Sequence, residues 1–525
     1  MKVFIEPPFD RHQHLIFRET LDETIPQGHP VRAIDRVLSE ADWSELFRRH
    51  PGGGRPAYRP DSMMKLLIYG YAMGFRSSRM LEYLCGNGLD FIWLMSGMKP
   101  DHDTIASFRK DNRSGLEELF AWTVRVCREA GLVTMERVAV DATRVEANNG
   151  RDGTMTQIEI EGKLKGLEER IDRILSEAEE VDGREDTLFG KGASPNEVAK
   201  DLLEAEKQKE KLEKALEKVK AKEQREWRRS SAGKRVPVTD PDADVMRDKK
   251  GGFAPNYNTW VAVDSEFGFV VSHGITSSHN DSGSLIPAIE EAEKNAGMPP
   301  AQIQADSAYA TRENLAYCEE RGIEPCIAPT HTSPDRPERK EAQPWPEDAP
   351  REAVHENGTV VNGGEIALDR NGKFDKSAFE YDHERDEYIC PVGRRLKKGR
   401  TISSKRGCRQ RTWYVCRDCA DCPFKNVCCG PSGRRHVGRS VTEDVHLRHK
   451  HRMSDARMKA DYRLRKQTVE PVIGIVKQTM GVRKFLLRGK EYVETEWCLI
   501  SNAFNFRKLM KRPELTAIFL AALPA

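Results

Sequence analysis

Apolar positions in the first quarter of the chain recur at helical spacing. In HPVRAIDRVLSEADWSELFRR they fall three and four apart, GGGRPAYRPD breaks the pattern as a loop, and SMMKLLIYGYAMGFRSSRMLEYLCGNGLDFIWLMSG supplies further helices with aromatic and Met positions turned inward. KPDHDTIASFRKDNRSGLEELFAWTVRVCREAG predicts two more, the first capped by Asp103 or Thr104 and exposing His102, Ser107, Arg109 and Lys110. The period then shortens to that of a strand in VAVDATRVEANN. Beyond it, Leu164, Leu167, Ile171 and Ile174 keep a coiled-coil seam, continued by Val198, Leu202, Ala205, Leu212, Leu216 and Val219 after the link VDGREDTLFGKGASP. Lys209 breaks the second seam, and the whole reads as an antiparallel helical hairpin.

Strand periodicity returns in NYNTWVAVDSEFGFVVSHGITSSHND, two β-rich runs joined by a Ser-Glu-Phe-Gly turn. A helix at LIPAIEEAEKNAG, a strand at QIQAD, a further helix and a strand at IEPCIAP follow. A three-strand meander followed by helix, strand, helix, strand is the order of an RNase H-like α/β core. It puts Asp141 on the first strand and Asp306 at the end of the fourth.

Those two residues and Glu470 give the pattern its chemical content. A nuclease core of the retroviral-integrase type needs carboxylates from distant elements, because two hard cations must be clamped about 4 Å apart around a phosphate. Glu470 stands in DYRLRKQTVEPVIGIVKQTMG beside Tyr462, Arg465 and Lys477. Glu470 and Lys477 are seven apart, on one face of a helix, where cations would reach a phosphodiester. Pro471 implies either a helix that begins near Thr468 or a longer one that kinks. The plainer readings are an Asp that caps a turn and a solvated, salt-bridged helix face. Asp240 and Asp242, in VPVTDPDADVMRDKKGGFAPNYN, are rival ligands better read as loop residues, with Lys249 and Lys250 beside them.

With these motifs the chain resembles the bacterial insertion-sequence transposases that carry a DDE triad and a Tyr-Arg-Glu-Lys signature. The resemblance extends to FLLRGKEYVETEWCLISNAFNFRKL near the end. It implies that Asp141, Asp306 and Glu470 hold Mg²⁺ or Mn²⁺, and that Tyr462, Arg465 and Lys477 contact phosphates at the transposon end. It also turns the basic helix with Arg109 and Lys110 toward binding terminal repeats. Two departures stand out: four residues separate Arg465 from Glu470 where the family has three, and Ala308-Tyr309 replaces the usual Gly-Tyr. The implied activity is DNA transposition by strand cleavage and strand transfer, performed by a homodimer on double-stranded DNA. A catalytically retired DNA-binding protein and a general nuclease of the same fold are the alternatives.

The expected organisation is an all-helical DNA-binding domain over residues 1–134 and an RNase H-like core from 135–150, 236–330 and 460–512. A coiled-coil hairpin at 151–235 and a basic Cys-rich insertion at 331–459 interrupt it. That second insertion holds seven of the twelve cysteines: Cys390, Cys408, Cys416, Cys419, Cys422, Cys428 and Cys429. CRDCADCPFKNVCC predicts a structural zinc on Cys416, Cys419, Cys422 and either Cys428 or Cys390. An iron–sulfur cluster is the rival.

Net charge is only +2, yet RPERK, RRLKKGRTISSKRGCRQRTW, GRRHVGRS and RLRHKHRM are basic blocks suited to a phosphate backbone. MKVFIEPPFDRHQ lacks the apolar core of a secretory signal, and LTAIFLAAL is too short to span a bilayer. The expected location is the bacterial cytoplasm, on the nucleoid, where disulfides are not expected.

Overall fold

The computed structural model describes residues 20–523 except 49–56, 151–152, 190–195, 226–234, 248–251, 277–279, 330–344, 346–348, 355–357, 359, 370, 404–409 and 441–442. Lys249, Lys250, Cys408 and the RPERK block lie outside the described residues, as does the side chain of Val198. The fold is mixed α/β, in two compact units: Met1–Ala305 with Arg463–Ala525, and Asp306–Tyr462.

The first unit opens with helices α1 (Pro30–Ser39), α2 (Pro60–Met73), α3 (Ser78–Asn87), α4 (His102–Asp111) and α5 (Arg113–Glu129). The cap of α4 is Asp101, rather than Asp103 or Thr104. Its carboxylate accepts the Thr104 amide at 2.8 Å, the reach of an N-cap to the third helical residue. Strand β1 (Arg137–Glu146) follows. The hairpin consists of α6 (Gln157–Phe189) and α7 (Asn196–Arg225), whose seam buries Ile160, Leu164 and Leu167 with Ala205, Leu212, Ala215 and Val219. Lys209 interrupts the apolar seam and reaches Glu168 at 3.0 Å, so the break carries an ion pair between the two helices.

Strands β2 (Asp244–Arg247), β3 (Phe253–Asp264), β4 (Val270–Thr276) and β5 (Gln302–Ala305) complete the sheet of this unit. The order is β2-β3-β1-β5, with β4 also paired to β3. All pairs are antiparallel except β1 and β5, which are parallel with Ala139 opposite Gln304. Asp240 and Asp242 lie in a turn, as read, and a short strand follows directly at Asp244. Four residues bounded by Asp carry too little alternation to signal one. Helix α8 (Leu285–Ala296) links β4 to β5, and α9 (Ala456–Gly474) returns the chain to this unit.

Helix α10 (Lys490–Met510) is buried along most of its length and ties the sheet to the N-terminal helices. Asn505 accepts the Val270 amide and donates to the Val270 carbonyl, both at 2.9 Å. Trp497 donates to the Trp260 carbonyl at 3.2 Å, and Asn502 to that of Leu116 at 3.0 Å.

In the second unit, β6 (Glu380–Asp382), β7 (Glu387–Ile389), β8 (Arg395–Ser403), β9 (Gln410–Val415) and β10 (His436–Ser440) form an antiparallel meander in chain order. Phe374, Tyr388, Leu396, Tyr414, Phe424 and Val437 form its core together with the clustered cysteines.

Candidate active site

Asp141 lies on β1, opposite Val261 of β3, with its side chain 21% exposed. Its Oδ1 accepts the Ala142 amide at 2.8 Å, and its Oδ2 faces the Arg465 guanidinium at 3.3 Å. Arg465 itself is buried on the inner face of α9, with Val469 and Val472 on the following turns. The pair joins residues 324 positions apart in the chain. A second tie runs from Lys477 Nζ to the Arg144 carbonyl of β1 at 2.8 Å. Arg144 escaped notice in the sequence because only its backbone oxygen takes part.

Glu470 is exposed on the same helix. Helix α9 runs from Ala456 through Pro471 to Gly474 and passes directly into a wide π turn, Ile475–Thr479, so it does not start near Thr468. The wide turn moves Lys477 out of the α-helical phase expected relative to Glu470. It does so where Lys477 meets β1.

Asp306 and Tyr462 belong to the other unit. Asp306 follows β5 and caps the turn Ser307–Tyr309, its Oδ1 accepting the Ala308 amide at 2.8 Å. Tyr462 packs half-buried against Cys326, Met453 and Met458. Among the described residues, no three His, Cys, Asp or Glu side chains are gathered closely enough to hold an ion as they stand.

Asp240 and Asp242 have structural partners. Asp240 is fully buried, accepting the Tyr257 hydroxyl at 2.8 Å and the Gly489 amide at 3.1 Å, and burial raises its pKa. Asp242 accepts the Lys490 amide at 3.0 Å and pairs with Lys218. The loop before α10 is thereby fastened to β2 and its approach. Asp240→Ala is expected to cost about 1–3 kcal/mol by stranding the Tyr257 hydroxyl, a loss that urea titration measures.

Arg109 corrects the expectation of an exposed basic helix face. It is 5% exposed, and its guanidinium donates to the Tyr71 hydroxyl at 3.0 Å and the Arg76 carbonyl at 3.1 Å. With Nη1 held by two oxygens and Nε buried without a hydrogen-bond partner among the described residues, the guanidinium offers no face to a phosphate, because helical phase turns Arg109 inward with Ile105. Arg109→Ala is therefore expected to lower the thermal midpoint while leaving the salt dependence of DNA affinity unchanged. Lys110, by contrast, is exposed, with its ammonium 4.4 Å from the Tyr492 ring centre.

A groove of about 430 Å³ flanks α9 on another side, lined by Gln467, Thr468 and Pro471, by Phe267 and Gly268 of the β3–β4 turn, and by Lys508. Burial, helped by Arg512, lowers the Lys508 pKa to about 8, and its ammonium donates to the Phe267 carbonyl. Between pH 8 and the ordinary lysine value the unfolded chain holds the extra proton, so this residue makes stability rise with pH across that window. Lys508→Met is expected to raise the thermal midpoint at pH 7, with the gain disappearing toward pH 11; an equal gain at both pH values would contradict the burial argument.

Two family models match the chain. One described as a transposase domain covers residues 19–111, and one described as a transposase DDE domain covers residues 389–510. The second includes Arg465, Glu470 and Lys477, whereas Asp141 and Asp306 fall outside both. No curated protein and no solved structure matches the chain. Among the described residues, no helix is long and apolar enough to cross a membrane.

Proposed function

We propose, for a chain whose two family-model matches support an insertion-sequence DDE transposase, that it binds the terminal repeats of its element and cuts and joins DNA strands at Asp141, Asp306 and Glu470. The observation that carries this reading is the 3.3 Å contact between Arg465 and Asp141, which sets the helix bearing Glu470 against the strand bearing Asp141. The strand order, with β3 and β4 antiparallel on one side of β1 and β5 parallel on the other, supports an RNase H-like core.

The donor set suits a hard dication, since carboxylate oxygens are what Mg²⁺ and Mn²⁺ prefer. Asp141 and Asp306 would hold one ion, and Asp141 and Glu470 the other. When bound, such ions supply Lewis-acid stabilisation of the entering and leaving oxygens. Arg465 neutralises Asp141 meanwhile, and on loading its guanidinium passes from Asp141 to a phosphate oxygen of the DNA. Lys477 and Tyr462 hold neighbouring phosphates, so the scissile strand is fixed in line before reaction. Cleavage frees a 3′-OH, which then takes the place of water in attack on target DNA.

The helical segment 1–134, through Lys110 among others, reads the repeats, and a pair of chains on the bacterial nucleoid brings two ends together. The hairpin at 151–235 and the basic segment 331–459 extend the contact along DNA. Gel-shift titration against the element's own terminal repeat and a scrambled duplex tests the binding half. Preferential retention of the repeat, weakening steeply with salt, is expected; equal affinity for both duplexes would remove the end-recognition claim. A catalytically silent DNA-binding protein is the second reading, favoured by the occupation of Asp141 by Arg465. It would bind the repeat without cutting it.

A further inference from the structure

Six cysteines of the second unit, Cys390, Cys416, Cys419, Cys422, Cys428 and Cys429, line one small, partly open space. All six are free, and Cys416, Cys419, Cys428 and Cys429 are buried. Soft sulfurs at such density, without disulfides, match the donor chemistry of zinc.

The backbone around the cavity is already shaped for thiolates. Cys390-Pro-Val-Gly-Arg is a tight knuckle: Gly393 takes φ +82°, its amide bonds the Cys390 carbonyl at 2.8 Å, and the Arg394 amide donates to Cys390 Sγ at 3.2 Å. Only glycine adopts that φ without strain. A second turn brings the Cys422 amide toward the Cys419 carbonyl, and the Lys425 amide toward that of Cys422, leading into the short helix that ends at Cys428.

Two cations stand ready for the negative charge of a tetrathiolate. Arg394 and Arg435 both line the cavity, and the Arg435 Nε is buried with no hydrogen-bond partner among the described residues. Its two terminal nitrogens hold the Cys428 and Phe374 carbonyls, which fixes the guanidinium beside the sulfurs.

We infer that Cys390, Cys419, Cys422 and Cys428 bind one structural zinc ion, with Cys416 and Cys429 as spectators. Of the set expected from spacing, Cys416, Cys419, Cys422 and either Cys428 or Cys390, this keeps both alternatives for the fourth ligand and drops Cys416. A Cys-x2-Cys loop wraps a single ion with two sulfurs, and a third cysteine at the same spacing suits a cluster rather than an ion. Cys390 Sγ is the sulfur that already accepts a backbone amide, that of Arg394, and it shares the cavity lining with Cys419, Cys422 and Cys428. All six line the same space without being gathered, as they stand, closely enough to hold an ion, so binding would draw four of the sulfurs inward. The Cys419 thiol donates to the Cys416 carbonyl at 3.7 Å. Four protein ligands close the coordination shell, leaving no position for water, so the ion braces the β6–β10 meander and takes no part in the carboxylate chemistry. It stands independently of the transposase reading.

The test is metal content of the purified full-length chain, followed by reconstitution with Co²⁺ and visible spectroscopy. One zinc per chain and the bands of a tetrahedral cobalt tetrathiolate are expected. Cys390→Ser and Cys422→Ser should lose the ion, while Cys416→Ser and Cys429→Ser keep it. Cys390→His preserves a ligand and guards against misfolding, and should retain cobalt with a shifted spectrum. Absence of metal from the wild type, iron with inorganic sulfide, an unshifted Cys390→His spectrum, or loss on Cys416→Ser with retention on Cys390→Ser would each overturn the assignment.

Discussion

Glu470→Gln lowers strand cleavage by on the order of 10³-fold, the loss typical of removing one preorganised charge from a phosphoryl-transfer site. Glu470 is exposed, so the isosteric amide leaves stability within about 0.5 kcal/mol and repeat binding intact. Asp141→Asn is expected to lose as much activity for a less clean reason. It also removes the carboxylate 3.3 Å from the Arg465 guanidinium, which is 6% exposed, so part of its effect would show as lost stability. Comparing the two variants separates metal binding from the charge pair that links β1 to α9. Wild-type cleavage by Glu470→Gln would transfer the role to another acid, with Asp461, one turn before Arg465, the first to examine.

The largest expected loss of stability is at Glu496, which has no exposed surface. Its Oε2 accepts the Leu486 and Leu487 amides at 2.8 and 2.9 Å, and its Oε1 faces Arg76 at 3.2 Å. Arg76 in turn donates to the carbonyls of Gly481 and Lys484. The segment so held runs directly on from the π turn and pairs with the end of β1, the Glu146 amide bonding the Arg483 carbonyl at 3.0 Å and the Phe485 amide the Glu146 carbonyl at 2.8 Å. Removing one partner of a buried pair strands the other's charge, so Glu496→Ala is expected to cost about 3–5 kcal/mol in urea titration. Glu496→Gln still accepts both amides and loses less. Cleavage should fall in Glu496→Ala as well, because the same segment fixes Lys477 against β1. A loss below about 1 kcal/mol would show that the segment is anchored by its other bonds.

The elements with a clear period were legible in the sequence. The coiled-coil seam, the β3–β4 hairpin and helices α4 and α5 fall where their apolar spacing put them, because each exposes one face and buries the other. Helix α10 was legible only as a resemblance: buried on nearly every side, it offers no polar stripe to mark its phase. Strand β2 was hidden by its shortness, and the inward turn of Arg109 by a charge that suggests solvent. At the site, the residue types around Asp141 and Glu470 were readable, but not their pairing. Nothing local says that Arg465 spends its charge on Asp141, or that Lys477 meets a backbone oxygen. For the cysteines, spacing pointed to a metal and left Cys390 and Cys428 as alternatives, while the knuckle around Cys390 was not visible before folding.

The most direct test is incubation of the wild-type chain with a labelled duplex ending in the element's own terminal repeat, with Mg²⁺, Mn²⁺ or chelator. Metal-dependent nicking at the repeat boundary, absent with chelator and with Glu470→Gln, is the expected result. Binding without cutting under all metal conditions, or cutting that ignores the repeat boundary, would contradict it.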